Sequence, residues 1–264
     1  MTTHATRRQV LIGTGLLAAS AAAPAFAQDK PKLRFSAVFS EQDIRAEMMK
    51  TFAAATAEDF AFEGYYGGNL FKQGTELVAL QRGNLEMGNI APQDVSKQIP
   101  AWSILTAGYL FRDAAHLKAF FASDAGAEMK QMTEDQLGVK VLGPTYFGVR
   151  QVGLNLDKDV KTPADMAGVK ISGAGPNLSW LDGTDAVGVQ GSYVSFYNDI
   201  KTGVSDGLIG WITANAPAKI WEVAPYYNKV DFGAMYVGGL AVSQDRWDGF
   251  SDTTKEAFRV AAQA

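Results

Sequence analysis

Cysteine is absent from this 264-residue chain, which excludes disulfides, thiol nucleophiles and thiolate metal sites. Histidine is scarce, with only His4 and His116, so no histidine cluster for a metal is expected. His116 follows Phe111-Arg112-Asp113-Ala114-Ala115 and reads as a structural residue at a helix start, with Asp113 as the cap. The acidic residues are dispersed, without a spacing that pairs a general acid with a base, and no serine-nucleophile elbow is expected. Excess positive charge is lacking as well. The net charge is −4, which offers no electrostatic footprint for nucleic acid or anionic lipid. No proline-rich linker, low-complexity tract or internal repeat divides the chain.

The one long apolar run lies at the N-terminus. Arg7-Arg8 precede an apolar stretch from Val10 to Ala23, and Ala25-Phe26-Ala27 forms a small-x-small cleavage site before Gln28. Residues 1–27 therefore read as an export signal. The run is interrupted by Gly13, Gly15, Ser20 and Pro24 and falls short of the ~20 apolar residues of a spanning helix. Thr6-Arg7-Arg8-Gln9-Val10-Leu11 resembles a twin-arginine signal, but paired arginines also occur in ordinary secretory signals, so the export route stays open. Gly13-Thr14-Gly15 mimics a dinucleotide fingerprint without a strand before it. Two of the 24 Lys and Arg and none of the 28 acidic residues fall in this segment, so the mature chain carries −6.

From Gln28 onward, strands and helices alternate. Strands are expected at 32–39, 60–66, 85–90, 139–142, 149–156, 169–172, around Val189, 207–211 and 236–243, from their β-branched and aromatic content and flanking glycines. Helices are expected at 41–57, 75–81, 113–137, 177–187, 195–202 and 251–262, with a short one after Thr162-Pro163. Repeated strand–helix units argue for an α/β fold of mainly parallel sheets flanked by helices. Two lobes crossed more than once by the chain explain the missing linker: 31–147 plus 236–264 as lobe one and 148–235 as lobe two.

Three groups of residues carry a more specific resemblance. They are Gly68-Asn69-Leu70 with Glu76-Leu77 and Gly83-Asn84-Leu85-Glu86-Met87; Leu110-Phe111-Arg112-Asp113; and a middle stretch from Tyr146 to Trp211. That stretch holds Gly148-Val149-Arg150-Gln151, Thr162-Pro163-Ala164-Asp165-Met166 with Lys170-Ile171-Ser172, and Lys201-Thr202-Gly203-Val204-Ser205-Asp206-Gly207. In order and spacing they resemble the periplasmic substrate-binding subunits of TRAP transporters, of the C4-dicarboxylate-binding type, over nearly all of 31–264. The resemblance implies a two-lobed periplasmic-binding-protein fold that closes on a small organic acid and passes it to the membrane subunits of a TRAP permease. No catalysis, cofactor or metal is expected. Relatives usually continue beyond the position of Ala264.

In that family an arginine commonly follows the Lys-Ile pair and grips the ligand carboxylate; here the position is Ser172, which has no charge to offer. A second family arginine is retained as Arg150, the expected anchor, with Gln151 and Asn155 as supports. Phe39, Tyr146, Trp180, Tyr193 and Trp211 are expected to line the cleft and to suit a ligand with an apolar or aromatic body. Gln73 is expected to add a polar contact, as are Gln93 and Asp94. Each has a plainer reading, as core aromatic, interlobe salt bridge or solvated helix start. Competing functions are a ligand sensor that signals to a membrane receptor and a periplasmic enzyme.

Overall fold

The computed structural model describes residues 30–173, 175–232 and 234–262, and the export-signal reading of 1–27 lies outside them. β1 (Lys32–Ser36) buries Leu33 and Phe35 and leads into α1 (Ile44–Ala55), whose first turn is closed by the Asp43 carboxylate accepting from Arg45 N–H. β2 (Ala61–Tyr65), α2 (Glu76–Gln81), β3 (Met87–Ile90) and α3 (Pro92–Val95) follow, then a 3₁₀ segment (Pro100–Thr106). α4 (Ala114–Ala122) and α5 (Asp124–Leu137) precede β4 (Val139–Leu154). The second half contains β5 (Lys170–Gly173), β6 (Val187–Gln190), α6 (Tyr193–Lys201), β7 (Gly207–Trp211), α7 (Ile212–Asn215) and β8 (Tyr226–Asn228). β9 (Ala234–Ser243), α8 (Gln244–Asp248) and α9 (Asp252–Ala261) complete the described chain.

The strands form two sheets joined through β4. The first has the order β2-β1-β3-β9-β4, and the second β8-β4-β7-β5-β6. In the first, β2, β1 and β3 are parallel and β9 runs against both β3 and β4. In the second, β6, β5 and β7 are parallel and β4 opposes both β7 and β8. Each sheet therefore has one reversed strand, the one that connects it to the chain's long crossings.

Hydrophobic side chains cover both faces of both sheets, as α/β layering requires. On the first sheet, one face packs around Trp102, Leu117 and Phe121, and the other around Phe35, Phe52 and Phe258. On the second, consecutive residues of β7 point to opposite cores: Ile209 joins Val152, Leu154 and Ile171, whereas Leu208 joins Phe196, Ile200 and Ile220.

Three local expectations change. The helix read over 113–137 is two helices, because Ser123 leaves the helical region (φ −84, ψ 170) and its hydroxyl accepts from Gly126 N–H to start α5. Gly126 makes that join possible, since a Cβ there would lie 2.2 Å from the Phe120 carbonyl oxygen. The strands read at 139–142 and 149–156 are one strand; β4 passes Gly143, Pro144 and Gly148 by register shifts against β9 instead of stopping. The helix read at 177–187 is a 3₁₀ segment (Gly175–Leu181) followed by turns, with Gly183 (φ 79) and Asp185 (φ 54) both left-handed.

Candidate ligand-binding site

Arg150 stands where β4 changes sheets. Val149 is the last β4 residue registered with β9, opposite Ala234, and Arg150 is the first registered with β7, opposite Trp211. Gly148, at φ +93, supplies the turn of backbone just before it. Because directly opposed residues of an antiparallel pair share a face, Arg150 and Trp211 emerge together. The guanidinium carbon lies 3.4 Å from the centroid of the Trp211 ring and 5.1 Å from that of Trp180. Its Nε is enclosed and has no acceptor among the described residues, and no carboxylate there pairs with the side chain. Burial lowers its pKa to about 10, which leaves it cationic at neutral pH.

The aromatics around Arg150 are fixed by their polar ends. The Tyr193 hydroxyl accepts from Trp211 N–H at 2.8 Å, and the two rings stack at 5.8 Å and 15°. Burial raises the Tyr193 phenol above its ordinary range, so it stays neutral. Trp180 donates its indole N–H to the Thr106 carbonyl at 3.0 Å and packs on Phe232, which in turn meets Tyr109.

A cavity of about 350 Å³ opens in front of this group. Its opposite side is built from the loop before α2, from α2 itself and from the β3–α3 junction: Gln73, Glu76, Asn89, Gln93 and Asp94. Phe39 is buried at one edge beneath the Arg45 guanidinium, 4.2 Å from the ring centroid, and Arg45 pairs with Asp43 at 2.8 Å. Asp94 pairs with Lys97 at 2.8 Å. Glu76 is only 5% exposed, and burial, aided by like charge on Asp94, raises its carboxyl to about 7.

Six of the eight residues singled out from the sequence line this cavity: Arg150, Trp211, Phe39, Tyr193, Trp180 and Gln73. Ser172 and Tyr146 stand elsewhere. Ser172 is fully buried and donates its hydroxyl to Ser205 Oγ at 2.8 Å, so it has neither access nor a spare proton for a ligand there. Tyr146 pairs with Tyr236 between β4 and β9 and packs on the core around Trp102. Gln151 is committed elsewhere as well: its side-chain carbonyl accepts from the backbone N–H groups of Val230 and Asp231, and its amide donates to the Asp231 carboxylate. Arg45, Glu76 and Asn89 were not picked out as site residues. Glu76 appeared only inside a motif, and Arg45 sits in the first turn of a helix, a place where a solvated arginine is ordinary.

Gly203-Val204-Ser205-Asp206-Gly207 does spell the Gly-x-Ser-x-Gly pattern, contrary to the expectation that none occurs. The nucleophile elbow needs an exposed serine on a strand-to-helix turn. Ser205 is fully buried, on a turn that leads from α6 into β7, and accepts from Ser172. It is a structural pair, not a nucleophile.

A two-sheet α/β fold with a cation-bearing, aromatic-walled cavity where its shared strand changes sheets has the make-up of a binding protein for small anions. Residues 35–264 match the bacterial extracellular solute-binding protein family 7, and the chain belongs to that family. Among solved structures, a TRAP periplasmic solute-binding protein of Roseobacter denitrificans with bound 3-deoxy-D-manno-oct-2-ulosonic acid is 31% identical, with a TM-score of 0.82; the match covers 89% of this chain and 78% of that one. One of Chromohalobacter salexigens with bound D-glucuronate shares the fold at TM-score 0.80 and 21% identity, covering 88% and 78%. A solute-binding protein of a Sulfitobacter species is 26% identical over 80% of this chain and 66% of its own length. The 2,3-diketo-L-gulonate-binding periplasmic protein of Escherichia coli is 25% identical over 71% and 57%. The chain thus spans less than two thirds of the length of these last two relatives. No helix among the described residues is long and apolar enough to cross a membrane.

Proposed function

We propose that this protein captures a small organic acid outside the cytoplasm, sugar acids foremost, and delivers it to the membrane subunits of a TRAP permease. Arg150 carries the reading. A guanidinium held on Trp211, with an enclosed Nε and no carboxylate partner among the described residues, is energetically complete only when an anion arrives. The acids bound by the relatives support the same class, and the cavity of about 350 Å³ falls within the range of small-molecule sites.

The lobes of this reading are 31–147 with 236–264, and 148–235, supported by the change of β4 partner at Arg150. Capture shifts the population toward a closed form in which both sides of the cavity touch the ligand. Export to the periplasm rests on the leader in residues 1–27. The ligand leaves unchanged, without turnover.

A thermal-shift panel tests the proposal with 3-deoxy-D-manno-octulosonate, D-glucuronate, D-galacturonate, C4-dicarboxylates and uncharged hexoses. At least one acid is expected to raise the melting temperature and the hexoses are not. Arg150→Ala is expected to weaken the best acid by about 100-fold in calorimetry, the loss of a charge-assisted pair. An uncharged best ligand, or undiminished affinity in the variant, overturns the assignment.

A further inference from the structure

Glu76 is a carboxyl group that the capture of an acid does not require. It lies on the wall of the anion cavity, is 5% exposed, and has no lysine or arginine partner among the described residues. The backbone N–H groups of its own helix start, at Gly74, Thr75 and Glu76, favour its ionised form, but they are dipoles rather than full charges. The charged side chain that bears on it is Asp94, of the same sign. An ionised Glu76 beside an incoming anion would add a second repulsion inside a low-dielectric cavity.

We propose that Glu76 is the specificity-determining residue on the side of the cavity away from Arg150, and that it holds the ligand as a neutral carboxyl, donating its O–H to an acceptor oxygen of the bound acid. Capture then takes up one proton from solution whenever Glu76 is ionised in the empty protein, and no covalent bond changes. A ligand that presents a hydroxyl or carboxylate oxygen away from its anchored carboxylate is favoured over a simple monocarboxylate. The inference rests on the proposed capture of organic acids and deepens it.

The surroundings of Glu76 leave it as the group that titrates near neutrality. Its own carboxyl stands at about 7. The charged and titratable groups facing the cavity are Lys72 before α2, Asp94 on α3, Arg45 on α1, and Arg150 and Tyr193 from the far side, and Lys97 pairs with Asp94 from outside the lining. β3 contributes none, nor do Gly238 to Ser243 of β9. Arg150, at about 10, keeps its charge from pH 6 to 8, and Tyr193, raised by burial, keeps its proton. A carboxylate ligand also stays ionised across that window.

The test uses the full protein and the tightest binder among 3-deoxy-D-manno-octulosonate, D-glucuronate and D-galacturonate. Wild-type affinity is expected to fall about tenfold between pH 6 and pH 8, and Glu76→Gln, a permanent mimic of the neutral carboxyl, to bind equally at both. Calorimetry of the wild type at pH 8, in buffers of different protonation enthalpy, needs no variant and is expected to show uptake of about one proton per ligand. Equal pH slopes in the two proteins, or no proton uptake, overturns the role of Glu76 while leaving Arg150-dependent capture intact. If none of the acids binds, both readings fall together.

Discussion

The two sides of the cavity are built by opposite means. Arg150, Trp211, Tyr193 and Trp180 come from β4, β7, α6 and the neighbouring 3₁₀ segment, and each is fixed by a strand register, a ring stack or a hydrogen bond to backbone. Facing them, Gln73, Glu76, Asn89 and Asp94 hang on a loop, a six-residue helix, a strand end and the four-residue α3. Among the described residues, the first side keeps Arg150 without an anion, and the second keeps Glu76 without a cation. Placed together, the two would neutralise each other, as Arg34 and Glu86 do at 2.8 Å elsewhere in the fold. Kept apart, each shifts through its own surroundings: Arg150 by burial, and Glu76 by burial and Asp94. A fold that bears the cost of burying both groups unpaired leaves them available to different parts of one ligand.

The largest effect is expected on the aromatic side. Trp211 is 5% exposed and carries both the Arg150 guanidinium and the Tyr193 ring. Trp211→Ala is expected to cost about 3–5 kcal/mol of stability in denaturant unfolding, the usual penalty of truncating a buried indole, and to weaken acid binding as well. Trp211→Phe restores a platform for the cation and recovers most of both losses. If Trp211→Ala keeps its affinity, the guanidinium does not need its ring.

Glu76 sharpens the contrast through pH. Its folded value of about 7 lies above the ordinary 4.5, so burial favours the neutral form. The contribution is therefore full below pH 4.5 and is lost as pH rises through 7. Glu76→Gln removes the titration. The variant is expected to match the wild type near pH 4 and to exceed it by about 3 kcal/mol above pH 8, measured as the difference between their unfolding free energies. A difference that does not change with pH would mean that the carboxyl is solvated in the folded protein.

Legibility followed the range of the interactions involved. Arg150 stood out through the resemblance, which carries an arginine in the Gly-x-Arg-Gln segment, and through its place early in an expected crossing strand, and the alternating strands and helices gave both sheets. The shared strand was harder to see, because Gly143, Pro144 and Gly148 are local stop signals that the pairing with β9 overrides. Tyr146 was assigned to the cleft, but register shifts on both sides of it, at Thr145/Tyr146 and Tyr146/Val149, reset the alternation from which a facing could be counted. Glu76 was invisible as a site residue because an acid in the first turn of a helix is ordinary in solvent. Its burial belongs to the fold, in which α2 packs against β3 and β9.

Ser172 is the sharpest test of what a motif position can carry. The resemblance assigns its place in the sequence to a ligand-gripping arginine, so a contact with the ligand was expected. In the fold it is a middle residue of β5, registered with Val189 on one side and Leu208 on the other, and its hydroxyl is spent on Ser205. Ser172→Ala leaves the Ser205 hydroxyl without its donor in a buried setting, and a loss of about 1 kcal/mol of stability is expected. Acid affinity is expected to remain within twofold of wild type, because no group of the cavity changes. This is the smallest of the expected effects and the one that separates inherited position from physical role: a tenfold loss of affinity without a matching loss of stability would return Ser172 to the site.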